Sequence, residues 1–211
     1  MIARRQGKLA ESIILFNDAL LIYREIGNLY REAIVLTNLG IVYDVQGNIN
    51  DALKSQMAAH DIFREMDNIF GEANSLGNIG IIYWRQKKYT DAIISYEKAL
   101  KIFKKIGNSS GEAKILGNIG MVYAKQGKES LSLKLLKESL KIENRIGDRL
   151  GIAEILSNIG IMEIALGNEE DALVTFRKAR KIYLKIGAKT KGLSTAIDLI
   201  ARLESSLDDP E

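Results

Sequence analysis

Apolar residues along this chain recur at steps of three and four positions, which is the spacing of one face of an α-helix. Between residues 29 and 46, for example, Ala33, Leu36, Leu39 and Tyr43 follow that spacing. Glycines such as Gly47 interrupt the pattern, as glycines do at the ends of helices. Helices of roughly 17 residues, about 25 Å long, are therefore predicted along the chain.

The same pattern returns every 40 residues. Each period contains a glycine inside a predicted helix and an asparagine two positions before it. The two columns are Gly40, Gly80, Gly120 and Gly160, and Asn38, Asn78, Asn118 and Asn158. Each period divides into a first helix, which carries both columns, and a second helix that begins near an aspartate such as Asp51. Repeats of this length are typical of stacked helix pairs, so an all-α solenoid is predicted.

The predicted organisation is a single solenoid over residues 1–211. It consists of a partial repeat at 1–27, four full repeats at 28–67, 68–107, 108–147 and 148–187, a C-terminal capping helix at 188–207 and a solvated tail at 208–211. Asn28, Asn68, Asn108 and Asp148 open the full repeats and are predicted helix N-caps. The incomplete first repeat has two interpretations: the chain is a fragment of a longer protein, or its first helix is an N-terminal cap.

The glycine column requires a physical reason, because glycine inside a helix costs about 0.5–1 kcal/mol relative to alanine. We expect a neighbouring helix to pass too close to these positions for a side chain. Alanines recur on the second helices, at Ala59, Ala99 and Ala179. The sequence therefore predicts that glycine on one helix packs against alanine on the next.

Composition and charge narrow the class of protein only slightly. The chain is 46% hydrophobic and 27% charged, as soluble folded proteins are, and its one proline fits a largely helical structure. No segment approaches the roughly 18 unbroken apolar residues of a membrane helix, and the start has no apolar run typical of a signal peptide. The absence of cysteine fits a reducing compartment, so a cytoplasmic location is predicted.

Catalysis has little support in the sequence. His60 is the only histidine, and it replaces the leucine of Leu20, Leu100 and Leu140, so we predict a partly packed helix residue. One histidine and no cysteine leave no Cys/His metal site and no Cys–His pair. The glycines lie inside helices rather than between a strand and a helix, so they form no phosphate loop. We therefore predict no enzymatic activity, no cofactor and no metal.

The net charge of +3 is unevenly distributed. Residues 71–150 carry 15 Lys and Arg against 8 Asp and Glu, a net charge of +7, whereas each flanking segment has a net charge of −2. Many of these lysines fall on second helices, where a solvated outer surface is the main interpretation. An acidic partner, or weak contact with nucleic-acid phosphates, is the alternative. The lysines concerned are Lys98, Lys101, Lys105, Lys134, Lys137 and Lys141.

The repeat resembles the tetratricopeptide family, whose pattern is a Leu-Gly pair, a tyrosine, an alanine, an aromatic residue and a second alanine. Here it reads Ile79-Gly80, Tyr83, Ala92, Tyr96 and Ala99, and again Ile159-Gly160, Ala172, Phe176 and Ala179. The third repeat departs from it at Ser132, Leu136 and Ser139. The 40-residue step is similar to that of the spindle-orientation adaptors with Leu-Gly-Asn repeats, kinesin light chains and bacterial peptide-sensing regulators. The resemblance implies a right-handed superhelical solenoid of antiparallel helix pairs, the α-α superhelix.

In the solenoid implied by this resemblance, first helices line the concave surface, and asparagines at this position hold the main chain of a ligand. Such an amide can donate and accept at once, which suits an extended peptide backbone. One turn further along each helix comes an apolar residue, small residues stand just before some asparagines, and basic residues lie at the rim. These are Ile41, Ile81, Met121 and Ile161; Gly77 and Gly117; and Arg85 and Lys125. Trp84 shares the rim, as an exposed anchor or a packed residue.

The alternative for the asparagines is that each bonds within the neighbouring repeat and that the small residues are relics of duplication. Three functional hypotheses follow. The first is a scaffold that binds a protein or peptide ligand in a concave groove. The second is a structural element that self-assembles through its incomplete N-terminal repeat, and the third is a sensor fragment of a larger signalling or regulatory protein. Membrane and nucleic acid are not expected partners.

Overall fold

The computed structural model describes the backbone of residues 2–208 and the side chains of residues 8–206. Met1 of the predicted partial repeat and residues 209–211 of the predicted tail lie outside the described residues. Within that range the chain forms ten α-helices and no strand, so the predicted all-α class is confirmed. The helices are α1 (Ile2–Glu25), α2 (Leu29–Gln46), α3 (Ile49–Glu65), α4 (Ile69–Arg85), α5 (Tyr89–Lys105), α6 (Ser109–Lys125), α7 (Glu129–Ile146), α8 (Arg149–Ala165), α9 (Glu169–Lys185) and α10 (Lys191–Asp208).

Short left-handed joints reverse the chain between helices. Gly47 has φ 85° and Gly147 has φ 81°, which glycine adopts without steric cost. At two equivalent joints a residue with a side chain takes the same conformation, Asp67 with φ 54° and Lys87 with φ 61°. Because the joints are only a few residues long, consecutive helices within the segments 1–107 and 108–211 lie antiparallel and pack as pairs.

The predicted N-caps are confirmed. The side chain of Asn28 accepts a hydrogen bond from the backbone N–H of Arg31, and Asn68 accepts one from Gly71. Asn108 and Asp148 cap α6 and α8 in the same way. Each side chain thereby satisfies a donor that the first turn of a helix cannot satisfy internally.

The chain forms two compact units, Met1–Gly107 and Asn108–Glu211. The first contains α1 to α5, and besides the consecutive pairs its α2 contacts α4. The second contains α6 to α10; here α6 contacts α8, and α10 packs on α9 through the buried Ala196, Ile200 and Leu203. In each unit, the first helices of successive repeats are therefore neighbours. The division into a partial repeat, four full repeats and a capping helix stays a prediction.

The mid-helix glycines make room for large side chains rather than for alanines. A Cβ built on Gly80 would lie 2.5 Å from Cε1 of the Tyr96 ring, and one on Gly160 would lie 2.8 Å from the ring of Phe176. The prediction that alanine faces glycine is therefore wrong. The residue that fills the space stands three positions before the alanine, or before Ser139 in the third repeat, and is Gln56, Tyr96, Leu136 or Phe176.

Gly80→Ala should lower the free energy of unfolding by about 1–2 kcal/mol. Overpacking a core costs about 1–3 kcal/mol, and the better helix propensity of alanine returns only about 0.5–1 kcal/mol. Gly120→Ala is the matched control, because its Cβ would lie 3.2 Å from Leu136 Cγ and 3.4 Å from the Ser132 carbonyl oxygen. We expect a smaller loss for the control, measured from urea unfolding followed by circular dichroism. An equal or larger loss at Gly120 would contradict this explanation of the column.

Candidate functional site

All four asparagines of the repeat lie on first helices and are half-buried. Asn38 and Asn78 belong to α2 and α4 of the first unit, whereas Asn118 and Asn158 belong to α6 and α8 of the second. The apolar residues one turn later keep partial exposure as well, with Ile41 the most open at 47%. Ile81, Met121 and Ile161 are half-buried.

The amide groups differ in how fully they are hydrogen-bonded. Nδ2 of Asn78 donates to Oε1 of Gln56 at 3.3 Å, and Nε2 of Gln56 donates to the Thr37 carbonyl at 2.9 Å. This bond crosses to the preceding repeat, as the alternative interpretation of the asparagines proposes. Nδ2 of Asn118, in contrast, is buried and has no hydrogen-bond partner among the residues that the structure describes. Of these two amides, Asn118 therefore has the donor that still lacks an acceptor.

The two additional glycines are both buried. A Cβ on Gly117 would lie 2.9 Å from Cδ1 of Ile155 and 3.7 Å from Oγ of Ser139. The group that approaches Gly117 closely is thus a side chain of the same unit. Packing within the protein is sufficient to explain a glycine at this position.

The two basic rim residues differ in their surroundings. Nε of Arg85 lies 3.3 Å from Oδ2 of Asp44, a buried carboxylate on α2. Burial raises the pKa of Asp44, and the nearby Arg85 guanidinium opposes that rise. Lys125 is exposed. Trp84 is half-buried, and its indole N–H is buried without a hydrogen-bond partner in the described part of the chain.

The outer lysines and His60 match their predicted positions. All six lysines on the second helices are exposed. The His60 side chain is 16% exposed and lies on α3, with Nδ1 3.4 Å from Oδ1 of Asp61. A partly packed helix residue is what the leucine at the equivalent positions predicts.

Residues of α6, α7 and α8 line a cleft of about 280 Å³ in the second unit. Asn118 and Met121 line it from α6, Asn158 and Ile155 from α8. This cleft joins four predicted residues in one site: two asparagines, the apolar Met121 and the small Gly117. The charged residues that line the cleft are Lys114, Glu143, Asp148 and Glu154.

Glu143, which the sequence reasoning did not single out, is the most unusual residue of the cleft. It comes from α7 and stands where the other second helices have an aromatic residue, as at Tyr23, Phe63 and Tyr183. In the first unit the Phe63 ring packs against Gly71, and in the second the Glu143 carboxylate takes that place against Gly151. A carboxylate is smaller than a ring, so it leaves the space that becomes the cleft. A glutamate in a column of aromatic residues that repeats every 40 positions is visible in the sequence, and it could have marked this site.

The cleft is acidic. Glu143 is only 6% exposed, and its Oε2 has no hydrogen-bond partner among the described residues. Burial raises the pKa of Glu143, and the nearby carboxylates of Asp148 and Glu154 raise it further. The pKa of Glu154 is raised by burial and Asp148, against the opposing effect of the Lys114 ammonium. The carboxylate of Asp148 also accepts the backbone N–H groups of Leu150 and Gly151 as the cap of α8.

We expect Glu143→Gln to be more stable than the wild type at pH 7, by about 1–2 kcal/mol, because ionisation of a buried and unpaired carboxyl is unfavourable. A raised folded-state pKa stabilises the protein below the unfolded value of about 4.3, and this contribution disappears as the pH rises through the folded value. The advantage of the glutamine variant should therefore shrink as the pH falls toward about 4. Urea unfolding of both proteins across this range measures the difference. A difference independent of pH would contradict the assignment to ionisation.

The part of the chain described by the structure has no group of three or more His, Cys, Asp or Glu arranged to hold a metal ion. No helix in that part is both long and apolar enough to cross a membrane.

Comparison with known proteins places this architecture in a family. The family model for the tetratricopeptide repeat matches residues 1–65, 71–145 and 111–185, which together make up most of the chain. No curated protein sequence matches the chain significantly.

Solved structures share the fold at low sequence identity. The apo form of RapI is 20% identical, with a TM-score of 0.78 over 99% of this chain and 80% of that one. Aspartyl phosphate phosphatase F from Bacillus subtilis is 16% identical, with a TM-score of 0.86 over 97% of this chain and 55% of that one. A putative kinesin light chain repeat protein from Podosopora anserina is 15% identical, with a TM-score of 0.68 over 88% of this chain and 93% of that one.

Tetratricopeptide repeats generally mediate interactions between proteins. The 40-residue helix pairs, the packing of large side chains against the glycine column and the family-model match agree with one another. The chain belongs to the tetratricopeptide repeat family.

Proposed function

We propose that this protein is an interaction module that binds an extended peptide segment of a partner protein along the inner faces of its first helices. The observation that carries the proposal is the Asn118 amide, whose buried Nδ2 faces no acceptor among the described residues while the side chain lines an open cleft. A buried donor without an acceptor costs free energy, and a carbonyl group of a ligand would relieve that cost.

The neighbouring side chains supply the other contacts that an extended peptide needs. Asn158 lies across the same cleft and can donate or accept, while Met121 and Ile155 offer apolar surface to a ligand side chain. Main-chain hydrogen bonds give affinity in such complexes, and pockets for alternate side chains give selectivity. The cleft combines both kinds of contact.

We propose that the first unit also contacts the peptide, but contributes less to its affinity. Asn38 and the exposed Ile41 remain accessible on α2, and Ile81 keeps partial exposure on α4. Asn78 already donates to Gln56, and Arg85 is already paired with Asp44, so a ligand would gain less from either residue. Lys125, in the second unit, is an exposed cation for acidic side chains of a partner. We propose that this binding takes place in the cytoplasm.

The test is the double variant Asn118→Ala with Asn158→Ala. Peptides selected from a displayed random library against the wild type would be labelled, and their affinities measured by fluorescence anisotropy. Losing two neutral hydrogen bonds, each worth about 0.5–1.5 kcal/mol, should weaken binding roughly tenfold. Asn144→Ala is the matched control, since Asn144 is an exposed asparagine on α7 of the same unit. Unchanged affinity in the folded double variant would refute the proposal.

A second candidate function is self-association through α1, which presents a wide apolar face. Ile14 and Leu21, seven residues apart, are 62% and 60% exposed, and Ile22 and Ile26 are exposed beside them. At the positions equivalent to Leu21 the other second helices carry Asp61, Lys101, Lys141 and Lys181. An apolar residue in a column that is otherwise charged favours contact with another protein surface.

Ile14→Lys with Leu21→Lys tests this second candidate, because both changes copy residues found at equivalent positions of other repeats, such as Lys54 and Lys101. The wild-type sedimentation coefficient should rise with protein concentration, and that of the double variant should stay constant. A wild type that sediments as a monomer at every concentration would exclude self-association.

A further inference from the structure

We propose that the cleft of the second unit binds the guanidinium group of an arginine in the bound peptide, and that Glu143 is the residue that selects it. This inference rests on the proposed peptide-binding function and adds to it the chemical class of one ligand side chain.

The first observation is the state of the Glu143 carboxylate. It is more than nine-tenths buried, it lines the cleft, and Oε2 has no hydrogen-bond partner in the described part of the chain. An ionised carboxylate that is buried without a partner is an uncompensated charge, and such a charge is strongly destabilising. A cationic ligand group would supply the missing partner and the missing hydrogen-bond donor.

The second observation is the charge of the surrounding cleft. The carboxylates of Asp148 and Glu154 lie near enough to Glu143 to raise its pKa. The Lys114 ammonium lowers the pKa of Glu154. Lys114, Asp148 and Glu154 are all exposed, so solvent screens their charges alike, and three acidic side chains line the cleft against one basic side chain. The cleft is thus an acidic site, although residues 71–150, which supply most of its lining, carry a net charge of +7. This arrangement favours a cation at this place and disfavours an acidic side chain.

The shape of the cleft favours an arginine over other cations. A volume of about 280 Å³ lies just below the range of small-molecule sites, about 300–1,000 Å³, and suits one side chain of a longer ligand. Leu150 and Ile155 line it and can pack on an aliphatic stem. A guanidinium is planar, weakly hydrated and able to bind a carboxylate through two parallel donors. The Asn118 amide beside it provides a donor for the carbonyl group of the same peptide.

The third observation is that the equivalent place in the first unit holds an aromatic ring. There the Phe63 ring packs against Gly71, and no carboxylate is present to receive a cation. Glu143 keeps the glycine, Gly151, and replaces the ring by a charged group of smaller size. Glu143→Phe should therefore fill the cleft with a side chain that this fold already accommodates.

The experiment is a selection from a phage-displayed random peptide library, run in parallel on the wild type, Glu143→Phe and Glu138→Gln. Glu138 is an exposed glutamate on the same helix and serves as the charge-matched control. We expect arginine to be enriched at one position by the wild type and by Glu138→Gln, and not by Glu143→Phe. Wild-type selection of peptides without arginine would overturn this inference while leaving the proposed function intact. Selection of no peptide at all would overturn the proposed function as well.

Binding titrations then measure how much the charge of the arginine contributes to the affinity of the peptide. The best arginine peptide is compared with copies in which arginine is replaced by citrulline, its neutral analogue, or by lysine. Citrulline should weaken wild-type binding at least about tenfold, the size of one lost charge-assisted hydrogen bond, and should have little effect on Glu143→Gln. Equal affinity for arginine and citrulline, or for arginine and lysine, would refute the guanidinium assignment.

Discussion

The contact between a large side chain on a second helix and a glycine on the preceding first helix determines how each helix pair is built. Tyr96 fits against Gly80 and Phe176 against Gly160, with distances that leave no room for even one additional methyl group. Because the two helices are held this closely, the alanines and leucines around them can be fully buried. The cost of glycine in a helix interior is offset by the area that a ring buries against the exposed backbone.

The same principle operates where one repeat meets the next, and the candidate site arises where it is broken. Phe63 packs against Gly71 and Tyr183 against Gly192, each filling the space over a first-turn glycine. Glu143 stands at the corresponding place against Gly151, and it also lines the cleft. Where the other second helices carry a ring, this one therefore places a carboxyl group in the lining of a cleft.

Every full repeat has an asparagine at this position, but the hydrogen bonds that the amides form differ. Asn78 is drawn into a hydrogen-bonded chain because Gln56, rather than an aromatic residue, fills the space against Gly40 and offers an acceptor. In the second unit Leu136 stands 22 residues before Asn158, as Gln56 stands before Asn78, and it has no polar group to offer an asparagine. Nδ2 of Asn118 has no hydrogen-bond partner among the described residues. The polar side chain of Gln56 thus occupies the amide of Asn78 in the next repeat.

The sequence by itself determined the helical class, the 40-residue period, the caps at Asn28, Asn68 and Asn108, and the family, because each depends on local spacing and on residues that repeat. Only the tertiary structure decided that rings and Gln56, not alanines, pack against the glycines, that Arg85 pairs with Asp44, and that Glu143 is buried in a cleft. These facts join residues from different helices. A repeat pattern records the side-chain type at each position, whereas burial and pairing depend on the distances between helices that packing sets.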